Sequence, residues 1–312
     1  MKINSVLIAG AGAIGLSTAE TIFQSDPGCI SIMAKGERLE RYRKNGFKVN
    51  GKKLDLRLTH GEHADLIIIA SKFHHLDEII EDIRPSVGKD TIILSILNGI
   101  SSEAIIGRKL GPERLPLAML AGTDASHKDG EAFYTQKGTI HFGDADGKNG
   151  EREQSIAEFF TRTGVAFKLE ENMKRKLWWK YMFNVGANQT TAVLRLPYAA
   201  IQSNGGSGEI PEARLLFQSA MREAIAIANA EGIDLNESDL EDWQNIVNKF
   251  NPSGHTSMCQ DVIAGRKTEL EMFSQTMIEL AVKHGTAVPV NATLYLQLRA
   301  IEQMSGKTSN IA

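Results

Sequence analysis

Lys180, Asn184 and Asn188 recur at i, i+4 and i+8 within a stretch that also holds Leu177, Trp178, Trp179, Tyr181, Met182, Phe183 and Val185. That spacing lines three polar side chains along one side of an apolar helix. A lysine is rarely buried without a partner. Three polar residues in register on an otherwise apolar helix suggest one wall of a polar cleft. The same spacing suits a solvated stripe that Lys176 would extend. Further on, Gly265-Arg266-Lys267-Thr268-Glu269 opens a helical pattern with Thr268 as N-cap candidate and Glu269 as first-turn carboxylate. His255-Thr256-Ser257-Met258 reads as another helix start.

Gly10-Ala11-Gly12-Ala13-Ile14-Gly15 is a G-x-G-x-x-G between an apolar run and an amphipathic helix. Gly10 permits a tight turn, Gly12 admits a pyrophosphate to the backbone, and Gly15 lets helix pack on strand. The helix N-terminus then offers N–H groups and a positive dipole end to phosphates. The alternative is a packing turn without ligand. About 20 residues downstream, where NAD binders carry an acid for the ribose 2′-hydroxyl, stands Lys35, followed by Arg38, Arg41 and Arg43. A cation there attracts a 2′-phosphate, so NADP(H) is the expected cofactor. Glu37 and Glu40 lie nearby, and a solvated loop is the competing reading. Lys72 and Asn98-Gly99 each follow an apolar run, where ligands gather in open α/β sheets.

Other chemistries lack their residues. His60 and His63, or His74 and His75, have no Cys or carboxylate set to complete a zinc site. There is no G-x-S-x-G elbow and no P-loop. Cys29 and Cys259 are too few for a disulfide framework and fit a reducing cytosol.

The elements that must carry these residues fall into two patterns. Ser5–Ala9, Ile30–Met33, Leu66–Ala70 and Thr91–Ile96 are short apolar runs suited to a parallel sheet interior, with helical patterns at Ile14–Gln24, Phe73–Ile83 and Ser101–Leu110. Tyr134–Gly143 reads as extended, bounded by Asp129-Gly130; Glu151–Thr163 reads as a helix and Val165–Leu169 as a last strand. Beyond Leu169 only helices are expected: Glu171–Ala192, Glu212–Glu231, Glu237–Lys249, His255–Ala264, Thr268–His284 and Asn291–Ser305, with Asn291 as an N-cap and Gly232 and Gly285 at C-termini. The fold class is therefore α/β plus all-α: a Rossmann-type doubly wound sheet over 1–169, and an all-helical substrate domain over 170–312, with a cleft between.

The chain has 312 residues, 42% hydrophobic and 23% charged, an ordinary globular balance for two domains. Its net charge of −3 gives no electrostatic case for nucleic acid or an anionic membrane. No run approaches the ~18 apolar residues of a membrane helix, and a cytoplasmic protein is expected.

Together these motifs resemble the ketopantoate reductase (2-dehydropantoate 2-reductase) family. The resemblance rests on the glycine loop, Lys72, Asn98-Gly99, Leu177-Trp178-Trp179-Lys180…Asn184…Asn188, Thr256-Ser257-Met258-Cys259-Gln260-Asp261, Gly265–Glu269 and His284-Gly285…Val288-Pro289…Asn291, in the same order from end to end. It implies that Lys180 is the proton donor, with Glu269 beside it holding a substrate hydroxyl or the nicotinamide ribose. It implies that Asn98 touches cofactor and substrate, and that Asn184, Asn188 and Ser257 bind the substrate. Residues Gly10–Gly15, Lys35, Lys72 and the backbone near Ser126 would line the NADP(H), and the partner would be a small 2-ketoacid, with a homodimer open. Leu196-Pro197-Tyr198 departs from the polar residue that family members often carry after the substrate helix, which bears on substrate identity.

Overall fold

The structure is a computed structural model that describes residues 2–128 and 130–308. It divides into two compact units, Met1–Lys174 and Arg175–Ala312. Asp129 of the expected Asp129-Gly130 turn lies outside the described residues.

The first unit opens with β1 (Val6–Ala9), α1 (Ala13–Ser25), β2 (Ile30–Met33) and α2 (Gly36–Asn45). Short strands β3 (Phe47–Val49), β4 (Lys52–Leu54) and β5 (Arg57–Thr59) follow, then β6 (Ala64–Ile69), α3 (Leu76–Ile83), β7 (Val87–Ser95) and α4 (Ser102–Leu110). The unit closes with β8 (Leu117–Ala121), β9 (Ser126–Lys128), β10 (Glu131–Phe133), β11 (Thr139–Gly143), α5 (Glu151–Thr163) and β12 (Phe167–Leu169).

Five strands form an all-parallel sheet in the order β5-β2-β1-β6-β7. Both faces are covered, as the unbroken apolar runs require. Val6 and Ile8 enter one core with Ile30, Ile32, Leu66 and Ile68. Leu7 and Ala9 enter the other with Met33, Ile67 and Ile69. Two smaller sheets have the orders β4-β3-β10-β9 and β12-β11-β8.

The first-half expectations hold for β1, β2, β6 and β7, and α5 has the expected bounds. Within Tyr134–Gly143 only Thr139–Gly143 is a strand, and Phe73–His75 form a 3-10 turn before α3. The stretch after Lys35 is a helix, α2, rather than a loop. It buries none of its residues and is tied to α3 where Arg38 meets Glu78 at 2.6 Å and Asp82 at 2.8 Å.

After β12 the described residues contain helices only: α6 (Met173–Leu194), α7 (Pro211–Ala230), α8 (Glu237–Val247), α9 (Ser257–Ile263), α10 (Ser274–His284) and α11 (Pro289–Thr308), with short 3-10 turns. Helix α6 is buried on most sides, with Tyr181, Met182, Val185 and Ala187 fully enclosed, as an all-round apolar helix must be. Gly232 and Gly285 take left-handed φ values of 75° and 63° just past α7 and α10.

Two expected caps are corrected. Asn291 lies inside the first turn of α11, which starts at Pro289; its amide instead bonds Ala220 O, Glu223 and Gln189. Proline at a helix start needs no N–H partner. Thr268 caps no long helix: both its N–H and its hydroxyl bond Glu302, and Glu269 precedes a 3-10 turn, Leu270–Met272, before α10 begins at Ser274.

Candidate active site

In the first unit the glycine loop joins β1 to α1. Gly10 has φ +114°, and a Cβ there would lie 2.6 Å from Ala70 O, so only glycine fits against the end of β6. A Cβ on Gly15 would fall 1.8 Å from Gly10 O, which is why helix and turn close only around glycine. Gly12 differs. Its φ is an ordinary −82°, and a Cβ there would meet nothing within 4 Å. Neither backbone conformation nor packing asks for glycine at this position. It fits a loop whose open side is kept for a ligand that approaches the backbone closely. No side chain caps α1, and its first turn carries no acid, so the N-terminal dipole faces that side uncompensated. These residues fit a dinucleotide pyrophosphate.

Lys35 caps the amino end of α2 directly after β2, one-third exposed, with its Nζ 3.7 Å from Asp82 Oδ1. Arg38 is committed to Glu78 and Asp82. Lys72 precedes the 3-10 turn after β6, and Asn98 follows β7, so both stand past carboxyl ends of the parallel sheet. Ser126 does not join them at that edge. It is exposed on β9, paired with Phe133 in the β4-β3-β10-β9 sheet.

In the second unit α6 carries Lys180, Asn184 and Asn188. Lys180 is half-buried, and desolvation pushes its ammonium down to about 8, opposed by the charge of Glu269. Glu269 itself is buried at 6% exposure. The charge of Glu269, 89 positions away in sequence, acts on the Lys180 ammonium, and Asn184 and Asn188 on the same side of the helix are too buried for a solvated stripe. Lys176 behaves differently, lying 4.1 Å over the Trp179 ring.

Asn184 and Asn188 are buried at 6% and 5%. Asn188 donates from Nδ2 to Asn184 Oδ1 at 3.3 Å, and its own Oδ1 accepts from Ser257 Oγ and Met258 N, both at 3.3 Å. Ser257 begins α9, whose cap is Thr256, bonded to Cys259 N and to Thr191 Oγ1. Asn184 Nδ2 is buried and has no hydrogen-bond partner among the described residues. An orphaned buried donor is costly, and here it is next to a lysine–carboxylate pair. Within this unit the structure thus gathers Lys180, Glu269, Asn184, Asn188 and Ser257. Sequence reasoning did not single out Glu302 or Tyr181, which hold the Glu269 segment; no local spacing marks them.

A parallel sheet in this order with a glycine loop, and a helical unit with a lysine–carboxylate pair beside buried amides, define a nicotinamide-type oxidoreductase. The chain belongs to the ketopantoate reductase family: residues 6–147 match ketopantoate reductase PanE/ApbA and residues 172–302 match its C-terminal domain. A 2-dehydropantoate 2-reductase of Halobacterium salinarum is 25% identical over 299 residues, covering 93% of this chain and 96% of that one. A dimeric ketopantoate reductase from Staphylococcus aureus superposes with a TM-score of 0.82 at 22% identity, over 96% of this chain and 99% of that one. D-mandelate dehydrogenase, solved with NADH and anilino(oxo)acetate, superposes with a TM-score of 0.83 at 22% identity, over 97% of this chain and 99% of that one. At these identities the two structures establish the fold alone. No helix among the described residues is long and apolar enough to cross a membrane.

Proposed function

We propose that the chain reduces a branched 2-ketoacid with NADPH, 2-dehydropantoate foremost, yielding pantoate for pantothenate and coenzyme A synthesis in the cytoplasm. The observation that carries the reading is Lys180, a half-buried ammonium brought to about 8 and opposed by the charge of the buried carboxylate Glu269, on the helix that presents Asn184 and Asn188. When bound, the dihydronicotinamide supplies hydride to the keto carbon. Lys180 meets the charge that grows on the keto oxygen and gives it a proton from Nζ. A pKa about one unit above neutrality keeps the amine charged yet makes it a better acid than an ordinary lysine. Glu269 keeps that amine protonated and oriented. Asn184 offers its orphaned amide to the substrate's hydroxyl or carboxylate, and Asn188 and Ser257 hold the polar end from the adjoining side.

In this reading residues Gly10–Gly15 hold the diphosphate, Lys72 and Asn98 line the cofactor at the sheet edge, and Glu269 holds a substrate hydroxyl or the nicotinamide ribose. The 2′-phosphate goes to Lys35. The carboxyl end of β2 bears Lys35 where an NAD binder carries an acid, and Asp82 tempers the cation from 3.7 Å. The preference for NADPH is therefore about fivefold, since a half-compensated surface charge contributes about 1 kcal/mol.

A second substrate reading comes from the chain's departure at Leu196-Pro197-Tyr198. The Tyr198 ring packs against Phe250 at 5.0 Å between centroids, so the segment after α6 is aromatic rather than polar. That favours another branched 2-ketoacid, one less polar than 2-dehydropantoate. Nicotinamide absorbance in mixtures of NADPH with 2-dehydropantoate, 2-ketoisovalerate or phenylglyoxylate decides between them. Turnover of none of the three defeats the reductase reading and leaves an NADP(H)-binding sensor, which would need neither Lys180 nor Glu269. Equal kcat/KM with NADH and NADPH defeats the cofactor assignment, and Lys35→Glu is expected to abolish the difference.

A further inference from the structure

Glu269 is not part of a regular helix. Its backbone lies at φ −101°, ψ 40°, and the residue before α10, Phe273, lies at φ −100°, ψ −90°. A carboxylate on such a segment is placed by what ties the segment down. Two ties are present, one at each end. Before Glu269, the fully buried Thr268 donates from its N–H (2.9 Å) and from its hydroxyl (2.7 Å) to Glu302 Oε1 on α11. After it, Tyr181 on α6, the residue following Lys180, donates its hydroxyl to Phe273 O at 2.9 Å. The Glu302 carboxylate is oriented from its other side, where Arg299 Nη1 stands 3.6 Å from Oε2 and 3.8 Å from Glu271.

We propose that Glu302 is a positioning residue for Glu269: by accepting both donors of Thr268 it fixes the segment that sets Glu269 against Lys180. The inference rests on the reading of Lys180 and Glu269 as the reacting pair. Helix α11 then serves the site from a distance. Its amino end is bound to α6 through Asn291, which accepts from Gln189 Nε2 at 2.9 Å next to Asn188. Its carboxyl half holds Thr268. One helix thereby references both members of the pair.

The test compares Glu302→Ala, Glu302→Gln, Thr268→Val and Tyr181→Phe with the parent. Glu302→Ala leaves two buried donors without an acceptor, so the segment relaxes and Glu269 moves off Lys180. The expected result is a ten- to hundredfold loss in kcat, with KM for NADPH unchanged and the alkaline limb of kcat lowered by about half a pH unit or more, because an opposite charge has left the ammonium. Glu302→Gln keeps a neutral acceptor oxygen and restores most of the activity and the limb. Should Glu302→Ala not fold, Thr268→Val, which removes one donor at constant volume, carries the same expectation at smaller size. Tyr181→Phe loosens the other end and moves the limb in the same direction. A readout independent of turnover is the pH dependence of Lys180 acetylation by limiting acetic anhydride, followed by peptide mass spectrometry. If the parent reduces no ketoacid, the functional reading fails, while a lowered Lys180 titration in Glu302→Ala still upholds the positioning role. Variants that lower the melting temperature but leave both the limb and the Lys180 titration at the parent's values overturn it, as does Glu302→Gln behaving like Glu302→Ala.

Discussion

Lys180 is where charge, burial and chemistry meet, and its behaviour with pH follows from the sign of its shift. The ammonium titrates at about 8 rather than its ordinary 10.5 because burial disfavours the charged form. Below pH 8 it is protonated and can donate; above, the proton is lost. The kcat profile is therefore expected to be flat toward neutrality and to fall above about 8, and a rate that holds level to pH 10 would remove Lys180 from proton transfer. Lys180→Ala should lower kcat by at least ~10², the cost of a lost oxyanion donor, and leave NADPH affinity unchanged because the proposed dinucleotide contacts lie mainly in the other unit. Lys176→Ala serves as comparison. It gives up a contact over Trp179 worth about 0.5–1 kcal/mol and should retain kcat. Ser257 makes a subtler case. Its hydroxyl reaches Asn188 Oδ1 but does not cap α9, since Thr256 does. Ser257→Ala should thus raise KM for the ketoacid severalfold with little change in kcat, the pattern of a contact equal in ground and transition states. An unaltered KM would confine the hydroxyl to bracing Asn188.

The glycine loop separates structural from functional glycines. Gly15→Ala drives a Cβ to 1.8 Å from Gly10 O and should cost several kcal/mol and much of the folded yield, because backbone is what it strikes. Gly12→Ala meets nothing within 4 Å in the protein. It should melt within a degree or two of the parent and yet bind NADPH at least tenfold more weakly, by thermal shift and fluorescence titration side by side. A Gly12→Ala protein that binds as well as the parent would reduce the loop to a packing turn. What was legible in the sequence divides along similar lines. Strands β1, β2 and β6 announce themselves because both faces are buried and every residue but Ser31 and Asp65 is apolar. The strands β3, β4, β5 and β9 are three residues each, and Lys52-Lys53 or Ser126-His127-Lys128 carry no alternation to read. Their pairing is set by register: Phe47 faces Leu54 across a turn in which Asn50 and Gly51 both take positive φ. That Asn-Gly pair was the available hairpin signal. Helix α2 was hidden because it buries nothing and depends on the Arg38 ion pairs to α3. Lys180, Asn184 and Asn188 were legible from their four-residue period. The role of Thr268 was not, because its partner Glu302 lies 34 residues away, and sequence spacing encodes only neighbours on one element.

At the scale of the whole chain, the division at Lys174 has a consequence for where each property resides. Both apolar cores of the first unit are built from residues between Ile3 and Val165, one on each face of the parallel sheet. The glycine loop, Lys35, Lys72 and Asn98 all belong to it, while Lys180, Glu269, Asn184, Asn188 and Ser257 all belong to the second unit. A unit of this size with its own core is expected to fold alone. A chain ending at Lys174 should therefore show a cooperative thermal transition by circular dichroism. The three tryptophans, Trp178, Trp179 and Trp243, fall beyond it and cannot report. Because ligand that binds only the folded form stabilises it by mass action, NADPH at about 100 times its Kd should add about 2.7 kcal/mol and raise that transition by several degrees. NADH at the same concentration should raise it less, if Lys35 discriminates. The fragment should reduce no ketoacid, since the proton donor and its carboxylate are absent. A fragment that melts cooperatively but is unmoved by NADPH, beside a full-length chain that is stabilised, would mean that the second unit contributes most of the cofactor's binding energy, and the assignment of the dinucleotide to the glycine-loop unit would have to be given up.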